Sequence, residues 1–196
     1  MNRLIVVFLF FTVLVSCRPK EYTPKPSGYF KIDTPAEHRY QLFDRPGFPY
    51  SFEYPVYAVI ENDTLSSKDK TKNPYWINVT FPGLGGMINI TYKEISASEP
   101  LSKMLEDSWD LSFVHHEKAD TIGAKDFENP NNVSSLLYVV GGNTASAYQF
   151  VSSDSTKHFM RGALYFDVSP NADSLKPATD FLEKDIEHLM MTLKWK

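Results

Sequence analysis

Cysteine is almost missing from this chain: 196 residues carry one, Cys17. A lone thiol closes no internal disulfide. Once modified, it leaves none for a cysteine nucleophile or a cysteine-based metal site. Basic charge is also short. Lys and Arg number 20 against 24 Asp and Glu, a formal net charge of −4. That balance argues against non-specific nucleic-acid binding, which needs basic patches to displace phosphate counterions. It argues equally against an electrostatic dock on anionic lipid. Common catalytic signatures are absent too: there is no G-x-S-x-G elbow, no H-E-x-x-H, and no glycine loop followed by Lys-Ser/Thr.

What is present begins with the leader. Asn2 and Arg3 precede an apolar run, Leu4 to Val15, interrupted only by Thr12. It suits a signal segment and is too short for a spanning helix, which needs roughly 20 residues. Leu14-Val15-Ser16-Cys17 then reads as a lipobox, cut before Cys17, with fatty-acyl (palmitate) lipidation of that thiol. Several acyl chains at about 0.8 kcal/mol per buried CH₂ make a permanent anchor. The segment RPKEYTPKP, Arg18 to Pro26, holds three prolines and should extend roughly 30 Å at about 3.1 Å per residue. Loss of the leader, which holds Arg3 and no acid, makes the charge balance one unit more negative. The expected organisation is a signal peptide at 1–16, a lipidated cysteine and proline-rich tether at 17–27, and one globular domain at 28–196.

Within the domain, Tyr29-Phe30-Lys31-Ile32 predicts a first strand ending near Pro35. Tyr40 to Phe43 predicts a second. Tyr50 to Ile60 is aromatic and β-branched but contains Pro55, so it predicts a bulged strand or two strands. The polar stretch Asn62 to Asn73 predicts an exposed loop. Tyr75 to Phe81 and Met87 to Tyr92 alternate with period two around Pro82 to Gly86, which predicts a hairpin. Its buried faces are Ile77, Val79 and Phe81, and Ile88, Ile90 and Tyr92.

Ser98-Glu99-Pro100 opens a helix, with Ser98 as cap. Leu101, Met104, Leu105, Leu111 and Val114 supply its buried face, and it ends around His115 to Lys118. Lys125 to Phe127 predicts a short strand. Strands follow at Val133 to Val140, Ala145 to Val151 and His158 to Val168. Gly141-Gly142-Asn143 and Ser152 to Thr156 are their turns. Asp173-Ser174 caps a final helix whose inner stripe is Leu182, Ile186, Leu189 and Leu193, with Glu183, Lys184, Glu187 and Lys194 outward. This order predicts an α+β fold: a mainly antiparallel sheet with two principal helices packed on it.

Chemistry-bearing residues group in two places. Asp154, Ser155 and His158 are hydrolase residue types, but a triad converges from separate elements and needs an oxyanion hole. They read better as a turn before a strand. His115-His116-Glu117 offers metal-ligand types, yet adjacent histidines on a helix point about 100° apart and do not easily share one ion. No catalytic, cofactor-binding or metal-ligating residue is therefore expected, and Cys17 is the one modification site. Aromatics are abundant, with 14 Phe, 11 Tyr and 3 Trp. Most should pack the core, and a minority should line a docking surface.

Several segments carry a family resemblance together and in order. They are the lipobox, Tyr22-Thr23-Pro24-Lys25-Pro26 with Gly28-Tyr29-Phe30, Phe52-Glu53-Tyr54-Pro55, and Ala145-Ser146 before Gln149-Phe150. They continue through Asp154-Ser155, His158-Phe159, Arg161-Gly162-Ala163-Leu164-Tyr165-Phe166, Pro170-Asn171, Asp173-Ser174-Leu175 and Trp195-Lys196. The set resembles the gliding motility lipoprotein GldD family of Bacteroidetes. The resemblance implies a cell-envelope lipoprotein needed for surface gliding and associated with the type IX secretion machinery. Its partners would be the membrane, through the lipid, and other envelope proteins of that machinery. No catalytic residue carries over; Cys17 does. In these bacteria an acidic run after the cysteine often accompanies export to the outer face. None follows Cys17, so a periplasm-facing domain is expected. Asp63-Thr64-Leu65, Asp120-Thr121-Ile122 and Asp173-Ser174-Leu175 resemble the O-glycosylation sequon of the same bacteria, and Ser174 reads better as a helix cap. The order of elements also resembles the PsbP/Mog1 α-β-α sandwich. The expected role is a non-enzymatic accessory or assembly factor. The alternatives are an envelope hydrolase using Asp154, Ser155 or His158, and a small-ligand-binding lipoprotein with a deep apolar pocket.

Overall fold

The computed structural model describes residues 28–29, 31–62, 73–113 and 119–196. Cys17, the lipobox, the tether, most of the predicted 62–73 loop and His115-His116-Glu117 lie outside the described residues. The chain divides into two units, Met1–Phe30 and Lys31–Lys196. Of the first, only Gly28 and Tyr29 are described, and every element below belongs to the second.

Among the described residues that unit has two antiparallel sheets and two helices. The elements are β1 (Tyr40–Phe43), β2 (Tyr50–Pro55), β3 (Val59–Asn62), β4 (Ile77–Phe81), β5 (Gly86–Glu94), α1 (Leu101–Phe113), β6 (Ala119–Glu128), β7 (Ser134–Gly142), β8 (Tyr148–Ser153), β9 (His158–Phe166), α2 (Ala172–Thr192) and β10 (Lys194–Trp195). Strand order is β1-β2-β10 in a small sheet and β3-β4-β5-β9-β8-β7-β6 in a seven-stranded one. Phe150 and Val151 are neighbours on β8, so they point to opposite faces. Phe150 joins the main core with Met160, Leu164 and Leu182, Ile186 and Leu189 of α2. Val151 packs instead with Phe159 and Met104 of α1. The helices therefore cover opposite faces of the large sheet. Phe43, Tyr50 and Phe52 of the small sheet lie in the main core, on the α2 side. The α+β class read from the sequence is what the chain adopts.

The β4–β5 hairpin forms as its alternation predicts. Ile77, Val79, Phe81, Ile88, Ile90 and Tyr92 are all buried, and Val79 pairs with Ile88. Tyr75 and Trp76 fall outside the strand, because Asn73 folds them into a turn: its Oδ1 accepts from Tyr75 N and its carbonyl from Trp76 N. The run with Pro55 is two strands in two sheets. Pro55 sits at the end of β2, where its missing N–H costs least, and its carbonyl accepts from Ala58 N to turn the chain toward β3.

Other boundaries moved for physical reasons. Lys31 and Ile32 form no strand, nor does Tyr29, while Phe30 lies outside the described residues: none of the three is buried, and Lys31 pairs locally with Asp33. The predicted short strand at Lys125 lies within the ten-residue β6. Ser152 and Ser153 belong to β8, not to the turn after it. At α1, Ser96 Oγ accepts from Glu99 N, in place of the predicted Ser98 cap. Its buried residues are Met104, Ser108 and Ser112, while Leu105 and Leu111 face out. The hydroxyls of Ser108 and Ser112 bond back to the carbonyls of Met104 and Ser108, so both serines bury without an orphaned donor. The α2 cap is Asn171, whose Oδ1 accepts from Ser174 N, so Ser174 lies inside the first turn. The inner stripe Leu182, Ile186, Leu189 and Leu193 is buried as expected.

The far end of α2 is fastened by the β6–β7 connection. Buried Asn129 donates through Nδ2 to the carbonyls of Met190 and Leu193, at 2.9 and 2.8 Å. Its Oδ1 accepts from the backbone of Asn131 and Val133. All four hydrogen-bonding positions of the amide are filled, and two orphan carbonyls at the helix terminus are satisfied.

Candidate functional site

Asp154 and Ser155 lie in the turn between β8 and β9, and His158 opens β9. Asp154 Oδ1 accepts from the backbone of Thr156, Lys157 and His158, all at 2.9–3.0 Å. Burial would raise this carboxyl's pKa, but the three amide donations outweigh it and hold the group below its ordinary value. Ser155 takes a left-handed φ of 62° at the tip, and its N–H donates to Ser153 Oγ. The His158 ring turns inward. Its Nδ1 lies 2.7 Å from Tyr92 Oη, and the ring stacks on Trp195 at 5.0 Å between centroids. Burial pushes its pKa down, against the pull of Asp154, which favours a neutral imidazole in hydrogen-bond contact with Tyr92 Oη. The three side chains form no relay.

The densest polar cluster lies elsewhere, around Asp185 of α2. This side chain is 1% exposed, yet it is a carboxylate. Oδ1 accepts from His38 Nδ1 at 2.7 Å and from Tyr40 Oη at 3.0 Å, and Oδ2 from Tyr57 Oη at 2.5 Å. Burial, reinforced by the Asp185 charge, drives both tyrosine pKa values far up. The His38 ring stacks on Phe181 and the Tyr40 ring on His188, whose Nε2 reaches Glu53 Oε2 at 2.7 Å. Thr192 Oγ1 accepts from Glu53 N. The cluster thus joins α2 to β1, β2 and the links on either side of them. An acid or base needs a free lone pair within reach of a substrate. Here the donors converge on a carboxylate already enclosed, so the arrangement acts as a clasp.

One further place bears on chemistry. A cleft of about 280 Å³ opens between the β7–β8 turn and the first turn of α2, walled by Val139, Ala147, Phe166, Val168 and Leu175. It is slightly smaller than the roughly 300–1,000 Å³ of ordinary ligand pockets. Among the described residues, no group of three or more His, Cys, Asp or Glu is placed to hold a metal ion, and no helix is long and apolar enough to cross a membrane.

The model of one protein family, gliding motility lipoprotein GldD, matches residues 19–195. The chain belongs to the GldD family. The match runs from the tether through the whole folded unit and takes in both the Asp154 turn and the Asp185 clasp. No curated protein matches the sequence significantly. Among solved structures, the chain is similar to cyanobacterial PsbP (CyanoP) from Synechocystis sp. PCC 6803, at 12% identity and a TM-score of 0.48, covering 80% of this chain and 92% of that one.

Sequence reasoning about this GldD chain did not find the clasp. A signal for Asp185 was available: it lies three residues after Leu182 and four before Leu189, at the margin of the buried stripe. A charged residue at such spacing demands a buried partner. Its partners His38, Tyr40 and Tyr57 come from 128 to 147 residues away, and no local pattern marks them.

Proposed function

We propose that this member of the GldD family is a lipid-tethered, non-enzymatic accessory factor. It is held by acylated Cys17 on a membrane of the cell envelope, faces the periplasm, and helps assemble or stabilise the gliding and type IX secretion machinery by docking on its proteins. One observation supports this reading above the others: the groups best suited to chemistry are bound up in the fold. Asp154 serves three backbone amides, His158 serves Tyr92 and Trp195, and Asp185 serves three side-chain donors. Groups committed in this way hold elements together and have little left for a substrate.

The test is made in cells. Cys17→Ala is expected to release the protein from the membrane fraction and to stop gliding; retention and gliding that both survive would overturn the tethered reading. Alanine at Asp154, Ser155 and His158 separates docking from hydrolysis. A folded, abundant variant that loses gliding and also a measurable turnover on an envelope polymer would establish the enzyme instead.

A further inference from the structure

The seven-stranded sheet ends on β6, and among the described residues no strand pairs with its outer edge. It is long for an edge, and its charged residues and the bulge at Ala119/Thr121 are devices that turn away indiscriminate partners while leaving a charge-matched one free to pair. It runs for ten residues, contains no proline, and is exposed along most of its length. Gly123, near its middle, is exposed, and a Cβ added there would meet nothing within 4 Å. The backbone itself is therefore open to solvent.

Charge beside this edge is one-sided. Asp126 and Glu128 lie on the α1 face, as their pairing with Leu136 and Ser134 places them, and Asp120 stands at the strand's start. On the opposite face Lys125 is held by both Glu183 and Glu187, so its charge is more than cancelled. An apolar wall stands close by. Trp109 of α1 is 48% exposed and packs edge-on against Tyr138, whose register partner is Ala124 of β6. One face of the indole stacks on Phe113, and this half-exposed aromatic pair beside an acidic strand suits a cation.

We propose that β6 receives an extended, Lys- or Arg-bearing segment of a partner protein, which adds to the sheet as an eighth strand. Backbone hydrogen bonds would supply the register-independent part of the binding. Side chains on alternate sides would supply selectivity: cations toward Asp126, Glu128 and Trp109, and apolar groups toward Phe127. A second copy of this chain fits poorly, because antiparallel pairing of two β6 edges keeps both acidic rows on one face, where like charges repel. The inference rests on the docking role proposed above and names the surface and the chemistry of what docks.

The experiment uses the purified lipoprotein in detergent micelles with two ten-residue peptides, one alternating lysine and valine, the other glutamate and valine. Millimolar lysine peptide should slow amide exchange in β6 at least tenfold, and the glutamate peptide should not. Asp126→Lys with Glu128→Lys, both on the exposed surface, should weaken the lysine peptide at least tenfold without changing the protein's thermal midpoint. The proposal is overturned by unchanged β6 exchange with the lysine peptide, by equal protection from both peptides, or by binding indifferent to the double reversal. Protection that appears without peptide and grows with protein concentration would mean self-pairing, and also overturns it. In cells, the double reversal should reduce gliding at normal protein abundance. If it glides normally while Cys17→Ala does not, the β6 site falls and the tethered docking role stands.

Discussion

Replacing Asn129 by aspartate exchanges one NH₂ group for an oxygen and leaves the shape of the side chain alone. The retained Oδ1 still accepts from Asn131 and Val133. The new oxygen faces the carbonyls of Met190 and Leu193, where a donor had been. Two hydrogen bonds are lost at about 1 kcal/mol each, and a buried anion is set against two carbonyl dipoles. Together these cost roughly 3–5 kcal/mol, or a fall in Tm of roughly 6–20 °C for a domain of this size. The loss should depend on pH. Burial against carbonyls raises the new carboxyl's folded-state pKa above its unfolded value of about 3.9. The protonated form is then favoured in the fold, so the deficit is full at pH 7 and shrinks toward pH 4. Asn129→Ala, which has no titrating group there, should show a gap from the wild type that does not vary with pH. Differential scanning fluorimetry at several pH values reads all three proteins. Equal midpoints for wild type and Asn129→Asp at pH 7, or a gap that widens toward pH 4, would refute the assignment of Asn129 as the fastening of α2.

Three further outcomes are expected. Gly162→Ala would drive its Cβ into Cε1 of the Phe150 ring that covers it, costing at least about 1–3 kcal/mol in urea unfolding; Phe150→Leu in the same chain should recover part of the loss, and additive costs would argue against the contact. Burial, helped by Lys157 and opposed by Asp154 and Glu94, lowers the His158 pKa in the fold, so the unfolded chain takes up its proton first. Wild-type stability should therefore drop as pH falls through about 6.5, while His158→Gln lacks that component; parallel pH profiles would contradict this. Asp185→Asn leaves His38, Tyr40 and Tyr57 donating toward an amide that itself donates, a loss of about 3 kcal/mol, and an unchanged urea midpoint would show that the clasp adds nothing.

The parts of the fold legible in the sequence are those where burial follows chemistry. Ile88, Ile90 and Tyr92 alternate, and Leu182, Ile186, Leu189 and Leu193 repeat at helical spacing, because one face of each element meets the core. The α1 face was misread for the converse reason. Ser108 and Ser112 are buried because each hydroxyl finds a carbonyl one turn back, and composition alone does not reveal that self-sufficiency. Leu105 and Leu111 are apolar but lie on the wrong side of the helix. The Asp154 turn was readable, since an Asx side chain serves the backbone next to it. The Asp185 clasp was not, since its partners come from the other end of the chain. Asn129 hid for the same reason: its role depends on carbonyls more than 60 residues further on.

On α2 the clasp row, Phe181 with polar Asp185, His188 and Thr192, runs one residue ahead of the apolar row Leu182, Ile186, Leu189 and Leu193, so the two lie about 100° apart around the axis. Greasy packing by itself leaves such a cylinder free to roll by a fraction of a turn and find another snug fit. With the second row in place, any roll drags a carboxylate toward the hydrocarbon interior or strips it of its three donors. Whatever the clasp adds to stability, it gives the helix one azimuth, and through that azimuth it aligns the small sheet with the large one.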